Sequence, residues 1–249
     1  MNTALSDTPS ARTALITGAS RGLGLALART LARDGWRVVA DARDADALKA
    51  ALGEIEGDVT AIPGDVTDPA HRAALVQAAG SGIDLLVNNA STLGPTPLPR
   101  LADLPVADLA ATFATNVLAP LALIQDVLPR LRGRRGAVLN ISSDAAVEDY
   151  ATWGGYGASK AALEQLSNVL AAEEPDVAVW WADPGEMNTA MLRAAGEDAD
   201  AAPPPKEAAA ALLRLVAEHL PSGRYRVVPG GVGGRPPTMI RAADLAGAR

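Results

Sequence analysis

With 249 residues, 49% of them apolar, the chain is long enough to bury one sizeable core. A formal charge of −7 argues against a nucleic-acid surface, and the absence of cysteine excludes disulfides, thiolate metal sites and a cysteine nucleophile. Residues 1–12 lack a basic-then-apolar leader pattern and no uninterrupted apolar run approaches ~20 residues, so the expectation is a cytoplasmic protein with no membrane, nucleic-acid or metal partner.

Short β-rich runs alternate with longer helical patterns, the signature of a parallel sheet covered by helices on both faces. Strands are expected at 13–17, 37–42, 59–63, 83–88, 136–142, 177–182 and 224–228, with helices at 23–34, 45–52, 69–79, 106–132, 156–173 and 206–220. This is a single α/β domain over residues 12–231: a doubly wound sheet of about seven parallel strands. Residues 1–11 and 232–249 read as tails, and the basic bias of Arg224, Arg226, Arg235, Arg241 and Arg249 reads as a solvated end.

The first strand runs into "TGASRGLG", where Gly18, Gly22 and Gly24 precede a helix. Glycines there permit a tight turn and the close approach of a pyrophosphate to the free N–H groups of the helix start. The loop lacks the lysine signature of a P-loop, which disfavours an ATPase. At the end of the second strand, "RVVADARDADAL" places an acid, Asp41, two residues from a base, Arg43. An acid facing the adenosine ribose favours NAD, whereas an arginine facing a 2′-phosphate favours NADP.

Further along, Asn116 lies mid-helix with Pro120 four residues on, so its carbonyl loses the usual N–H partner. Ser143 ends the fifth strand, where a hydroxyl can bind a reacting oxygen. In "YGASK", Tyr156 and Lys160 share a helix face, and an ammonium close to a phenol favours the phenolate. Trp180 and Trp181 read as core residues of the sixth strand. The proline-rich loop after the fourth strand and the Ala/Asp/Pro-rich stretch at about 187–205 follow carboxyl ends of strands, and the latter reads as a lid.

Taken in order, these motifs resemble the short-chain dehydrogenases/reductases over nearly the whole chain, which implies a Rossmann-like fold and an oxidoreductase using a nicotinamide cofactor. By that resemblance Asn116, Ser143, Tyr156 and Lys160 match the catalytic tetrad. Gly18, Ser20, Arg21, Gly22, Leu23 and Gly24 match the cofactor loop; Asp65 and Val66 lie at the adenine, and Asn89 and Ala90 line the cofactor beside the central strands. Pro184, Gly185, Met187 and Thr189 fall in the segment that binds the carboxamide, while Tyr156 and Lys160 also reach the nicotinamide ribose. Counting along the second strand, the family's ribose-binding acid falls on Ala42, with Arg43 just after it and Arg21 opposite, so NADP(H) is expected over NAD(H).

The reaction implied is hydride transfer between NADP(H) and a small carbonyl or alcohol substrate, most simply reduction of a ketone or aldehyde with Tyr156 as proton donor. An NAD(P)-dependent epimerase, dehydratase or imine reductase, or a non-catalytic dinucleotide sensor, is compatible with the same motifs. A Ser-His-Asp hydrolase is disfavoured, because neither His71 nor His219 stands in a suitable context. Substrate shape is expected to depend on residues 91–96, 145–153 and the lid. Ser91 departs from the glycine usual in the family after "NNA", and Glu148 and Asp149 raise the idea of a cationic or sugar-like substrate. A homodimer or homotetramer built on the two long helices is the expected assembly.

Overall fold

A computed structural model describes residues 11–228 and 238–241. Seven strands, β1 (Thr13–Ile16), β2 (Arg37–Ala42), β3 (Val59–Pro63), β4 (Leu85–Asn88), β5 (Ala137–Ile141), β6 (Ala178–Asp183) and β7 (Gly223–Val228), form a parallel sheet. An eighth, β8 (Thr238–Arg241), pairs antiparallel to β7, and the strand order is β3-β2-β1-β4-β5-β6-β7-β8. Within the stretch read from sequence as a C-terminal tail, these four residues therefore extend the sheet; residues 1–10, 232–237 and 242–249 of the two tails lie outside the described residues.

The helices are α1 (Gly22–Arg33), α2 (Ala45–Gly53), α3 (Pro69–Ala79), α4 (Val106–Phe113), α5 (Ala119–Arg132), α6 (Gly154–Glu173), α7 (Ala190–Ala194) and α8 (Pro205–Ala217). Side chains alternate across each strand, which divides the core into two layers. Ala14, Ile16, Val38 and Ala40 pack with Leu27 and Leu31 of α1 and Leu212 and Leu215 of α8. Leu15, Val39, Leu86, Val138 and Val179 pack on the other face with Leu75 of α3 and Leu123, Ile124, Val127 and Leu131 of α5. Trp180 is 1% exposed with its indole N–H donating to the Leu220 carbonyl at 3.0 Å, and Trp181 is buried in the second layer, so both are core residues.

The helix expected at 106–132 is continuous but not uniform. A π turn at Ala114–Leu118 joins α4 to α5, with the Ala119 N–H reaching back to the Ala114 carbonyl. Pro120 supplies the cause: without an N–H it cannot continue the ordinary ladder, and the chain widens by one residue. By length and composition the Val106–Arg132 helix, which holds an 18-residue stretch of mean hydropathy 1.5, is long and apolar enough to cross a membrane. Charged and polar residues interrupt it often enough to hide that property from a search for unbroken apolar runs. In this fold its apolar stripe covers the sheet.

Candidate active site

Strand order reverses between β1 and β4, and the loops leaving their carboxyl ends diverge to open a crevice. The cleft has a volume of about 1810 Å³. Ligand sites typically span roughly 300–1,000 Å³, so a dinucleotide and a substrate fit together.

At one end stands the glycine loop. Gly18 adopts φ +69°, and a Cβ on it would lie 2.9 Å from Ala90 Cα. Asn89 donates its amide to the carbonyls of Thr17 and Gly18 at 2.8 and 3.0 Å, and Thr17 Oγ1 accepts from the N–H groups of Asn89 and Ala90, both at 3.0 Å. These bonds tie the loop after β1 to the loop after β4. Asp44 and Asp68 cap α2 and α3 with their carboxylates, whereas α1 begins with no side-chain cap. Its uncapped N–H groups, beside Ser20, Arg21, Gly22 and Leu23 on the cleft wall, suit a pyrophosphate. Gly24 does not line the cleft. A Cβ there would meet the Gly18 carbonyl oxygen at 2.4 Å, so this glycine lets α1 pack against its own loop.

Ala42, Arg43, Asp65 and Val66, expected at the adenosine, line the cleft together with Arg21. Asp41 is 1% exposed, and its carboxylate accepts from the Gly18 N–H at 2.8 Å and pairs with His71 Nε2 at 2.9 Å. Burial pushes the Asp41 carboxyl up, opposed by the His71 and Gly18 hydrogen bonds. This acid is thus committed to the protein, and His71, dismissed on sequence context, is its partner. Partial burial opposes ionisation of Asp65, but the Thr67 N–H and hydroxyl, both at 2.8 Å, and nearby Arg43 hold it below the usual carboxylate range.

Ser143, Tyr156 and Lys160 line the same cleft, together with Pro184, Gly185, Met187 and Thr189, the last beside Gly22. Ser143 caps a short 3-10 turn, accepting from the Ala145 N–H at 3.1 Å. Tyr156 and Lys160 lie on the first turns of α6, with Lys160 Nζ 5.5 Å from the phenol ring centroid. That ammonium is 2% exposed and donates to the Ile141 carbonyl at 2.8 Å. Burial pushes the Tyr156 phenol well above its ordinary value, and Asp183 and Asp144 add to the shift; hydrogen bonds with Ser91 and Ser143 oppose it. The Lys160 ammonium, expected to lower the tyrosine, donates to a strand carbonyl and lies beside the ring, and the serine hydroxyls favour the phenolate as well.

Burial also pulls Lys160 down from 10.5 to about 8, against an opposing pull from Glu164. The folded state then binds fewer protons than the unfolded chain between those values, so stability rises with pH across that window; the raised Tyr156 works the other way only above about pH 10. At neutral pH the buried ammonium costs roughly 3 kcal/mol by this linkage. Denaturant titrations from pH 7 to 10 are expected to show wild-type stability climbing, and a flatter curve for Lys160→Met.

Asn116 is 1% exposed and does not line the cleft. Its side-chain amide donates to the Thr92 carbonyl at 2.8 Å and Ser159 Oγ at 2.9 Å, while its oxygen accepts from the Thr92 N–H at 2.9 Å and Ser91 Oγ at 3.2 Å. It therefore joins the β4 loop, the π turn and α6. The sequence reading considered only its backbone carbonyl.

Two further residues escaped that reading. Arg224 of β7 pairs with Glu164 of α6 at 2.9 Å and donates to the Ser143 carbonyl at 3.3 Å, and Ser142 Oγ donates to the same carboxylate at 2.5 Å. Their side chains are only 17% and 11% exposed. Arg224 is thus part of the scaffold behind Ser143, and Arg226 pairs with Asp183 at 3.2 Å. Both belong to β7 rather than to a tail, although Arg226 keeps 43% of its side chain exposed. Arg224→Met is expected to destabilise the fold by about 3–5 kcal/mol, because Glu164 is left buried without a counter-charge; a denaturant midpoint measures it.

Thr92, Leu93, Asp144, Tyr150 and Trp153 line the cleft together with residues of the stretch expected to be a lid, which carries α7, but Glu148 and Asp149 are not on the cleft wall. These two acids therefore give no support to a cationic subsite.

The family model for short chain dehydrogenase matches residues 12–200. The chain is similar to the serine 3-dehydrogenase of Agrobacterium fabrum, with 37% identity over 62% of this chain and 63% of that protein's length. It is also similar to a 3-oxoacyl-acyl-carrier-protein reductase of rhamnolipid biosynthesis in Pseudomonas aeruginosa, at 35% identity over 95% of this chain and 89% of the relative. Among solved structures it resembles a 7α-hydroxysteroid dehydrogenase complexed with NADH and 7-oxo glycochenodeoxycholic acid, with a TM-score of 0.79, 29% identity, and coverage of 90% of this chain and 95% of that one. A glycine loop, a serine and a Tyr-x-x-x-Lys pair gathered on one doubly wound sheet agree with these matches: the chain belongs to the short-chain dehydrogenases/reductases.

Proposed function

We propose that this protein is an NADP(H)-dependent oxidoreductase that interconverts a ketone or aldehyde with its alcohol. The observation that carries the reading is the convergence of Ser143, Tyr156 and Lys160 in the cleft that also holds the glycine loop. When bound, the nicotinamide cofactor supplies or accepts the hydride. The residues of this chain do the rest. Ser143 hydrogen-bonds the reacting oxygen, and Tyr156 gives its proton to that oxygen as the carbonyl is reduced, or takes it back in oxidation. Lys160 stands next to the phenol to hold the nicotinamide ribose. Arg21 and Arg43, beside the uncharged Ala42, support a choice of NADP(H) over NAD(H).

The names of two relatives place their chemistry on a carbon in the 3-position of an acid or acyl compound. The test is optical: NADPH oxidation with ethyl acetoacetate and a panel of ketones and aldehydes, and NADP reduction with L-serine and ethyl 3-hydroxybutyrate. Turnover of a panel member supports the reading, and cofactor binding without turnover of any favours a sensor. Exposed Leu118 and Val169, on the two long helices, support self-association into a dimer or tetramer, which light scattering measures.

A further inference from the structure

His71 and Asp41 form a buried pair that the proposed chemistry does not use. His71 Nε2 donates to Asp41 Oδ2 at 2.9 Å, and the two residues are 8% and 1% exposed. The other carboxylate oxygen accepts the Gly18 N–H at 2.8 Å, and the Asp41 carbonyl accepts the Ala19 N–H at 2.7 Å. Asn89 holds the Gly18 carbonyl from the β4 side, so Gly18 is fixed at both of its backbone polar groups.

His71 itself is firmly seated. It is the third residue of α3, directly behind the Asp68 cap and Pro69, and its neighbour Arg72 donates to the Val66 carbonyl at 2.8 Å. A Cβ on Gly64 would overlap the ring at Nδ1, so the imidazole packs on the bare backbone of the turn after β3. The Gly64 N–H in turn donates to the Ala42 carbonyl at 3.0 Å. Gly18, Ala42, Gly64 and Val66 all line the cleft, whereas His71 does not. One imidazole therefore joins three cleft-lining segments from behind.

We propose that His71 is a positioning residue for the cofactor: by holding Asp41 it fixes the Gly18 turn, and so sets the affinity of the cleft for a dinucleotide that it never touches. This rests on the reading of the cleft as a nicotinamide-dinucleotide site. The Asp41 carboxylate is engaged on two sides, by His71 and by Gly18. A buried carboxylate stripped of one partner turns toward any other donor or water within reach, because leaving the charge unpaired costs more than the turn. That turn releases the Gly18 N–H, and with it the loop whose N–H groups meet the pyrophosphate. Ser143 and Tyr156 stand on other elements, after β5 and on α6, so the chemical step is spared.

The experiment measures NADPH binding by nicotinamide fluorescence and, on the cofactor-free protein, amide hydrogen exchange. His71→Leu is expected to raise the Kd for NADPH about tenfold, as a hydrogen bond to a charged group is lost behind the loop. In ketone reduction the KM for NADPH should rise with it, while kcat at saturating NADPH stays within about twofold of wild type. His71→Gln, whose amide nitrogen reaches the place of Nε2, is expected to restore most of the affinity. Exchange should quicken in residues 17–24 and stay unchanged in α6, whereas a general loss of stability would quicken both. If His71→Leu does not fold, His71→Asn, with an amide too short to reach Asp41, takes its place. A Kd that the variant leaves unchanged, or that His71→Gln fails to restore, overturns the proposal, as does exchange that quickens equally in α6. A wild type that binds neither NADPH nor NADH rejects the dinucleotide reading, while faster exchange confined to the glycine loop still upholds His71 as the residue that positions it.

Discussion

Tyr156→Phe is expected to lower turnover by at least ~1000-fold while the protein still folds and still binds NADPH. The phenyl ring keeps the contacts of the original, including the edge-to-face packing of Trp153 at 5.7 Å, so the substitution removes only an oxygen and its proton. General acid catalysis by a positioned group contributes typically 10²–10⁴-fold, and here no other acid is placed to replace it. Ser143 holds its proton at a hydroxyl pKa far above neutrality, and Lys160 donates to the Ile141 carbonyl. Asp144 and Asp183 line the cleft close by, but Asp183 is engaged by the Gly185 N–H and Arg226, and Asp144 by the hydroxyls of Ser143 and Tyr150. On the proposed reading the glycine loop and Arg43 hold most of the cofactor and are untouched by this substitution, and binding is measured by nicotinamide fluorescence. Turnover retained in Tyr156→Phe would remove Tyr156 from the chemistry and with it the proposed mechanism.

Much of this architecture is legible in the sequence because it is local. The alternation of β1 and β2 shows which residues face which layer, and the same alternation separates Asp41 from Ala42, since adjacent residues on a strand point to opposite faces. The loop from Gly18 to Gly24 and the spacing of Tyr156 and Lys160 are equally local. What escaped were pairings between residues far apart in the chain. Asp41 with His71, Glu164 with Arg224, and Ser91 with Asn116 are each brought together by the packing of elements that no short window contains. Arg224 in particular shows the cost of reading charge by neighbourhood. It sits in a basic run, yet the sheet turns it inward onto α6 to meet a buried acid. Asn116 failed differently: Pro120 drew attention to the backbone carbonyl, whereas the amide side chain makes the contacts that organise the site. Strand β8 lacked a signal because its four residues follow a glycine- and proline-rich stretch and are held by pairing with β7.

Arg43→Ala is expected to lower kcat/KM for NADPH by roughly 10–100-fold and leave that for NADH nearly unchanged, because one charge-assisted contact to a phosphate is worth about 1.5–3 kcal/mol. The selectivity of the effect is the informative part. A 2′-phosphate exists only on NADPH, so a residue that merely supported the loop would harm both cofactors alike. Arg43 and Arg21 both line the cleft, and Ala42, at the position where the family's ribose-binding acid is expected, lines it with them. Asp41 cannot take over the ribose hydroxyls without giving up Gly18 and His71, two hydrogen bonds that tie the glycine loop and α3 to the end of β2. The converse substitution follows from the same geometry. Ala42→Asp places a carboxylate where the phosphate would sit and where ribose hydroxyls can donate to it, so NADPH use should fall and NADH use rise. Steady-state rates with both cofactors, for the wild type and both variants, decide the matter. A wild type that prefers NADH would mean that the arginines face solvent, and that the cleft accepts the ribose without help from either Asp41 or Arg43.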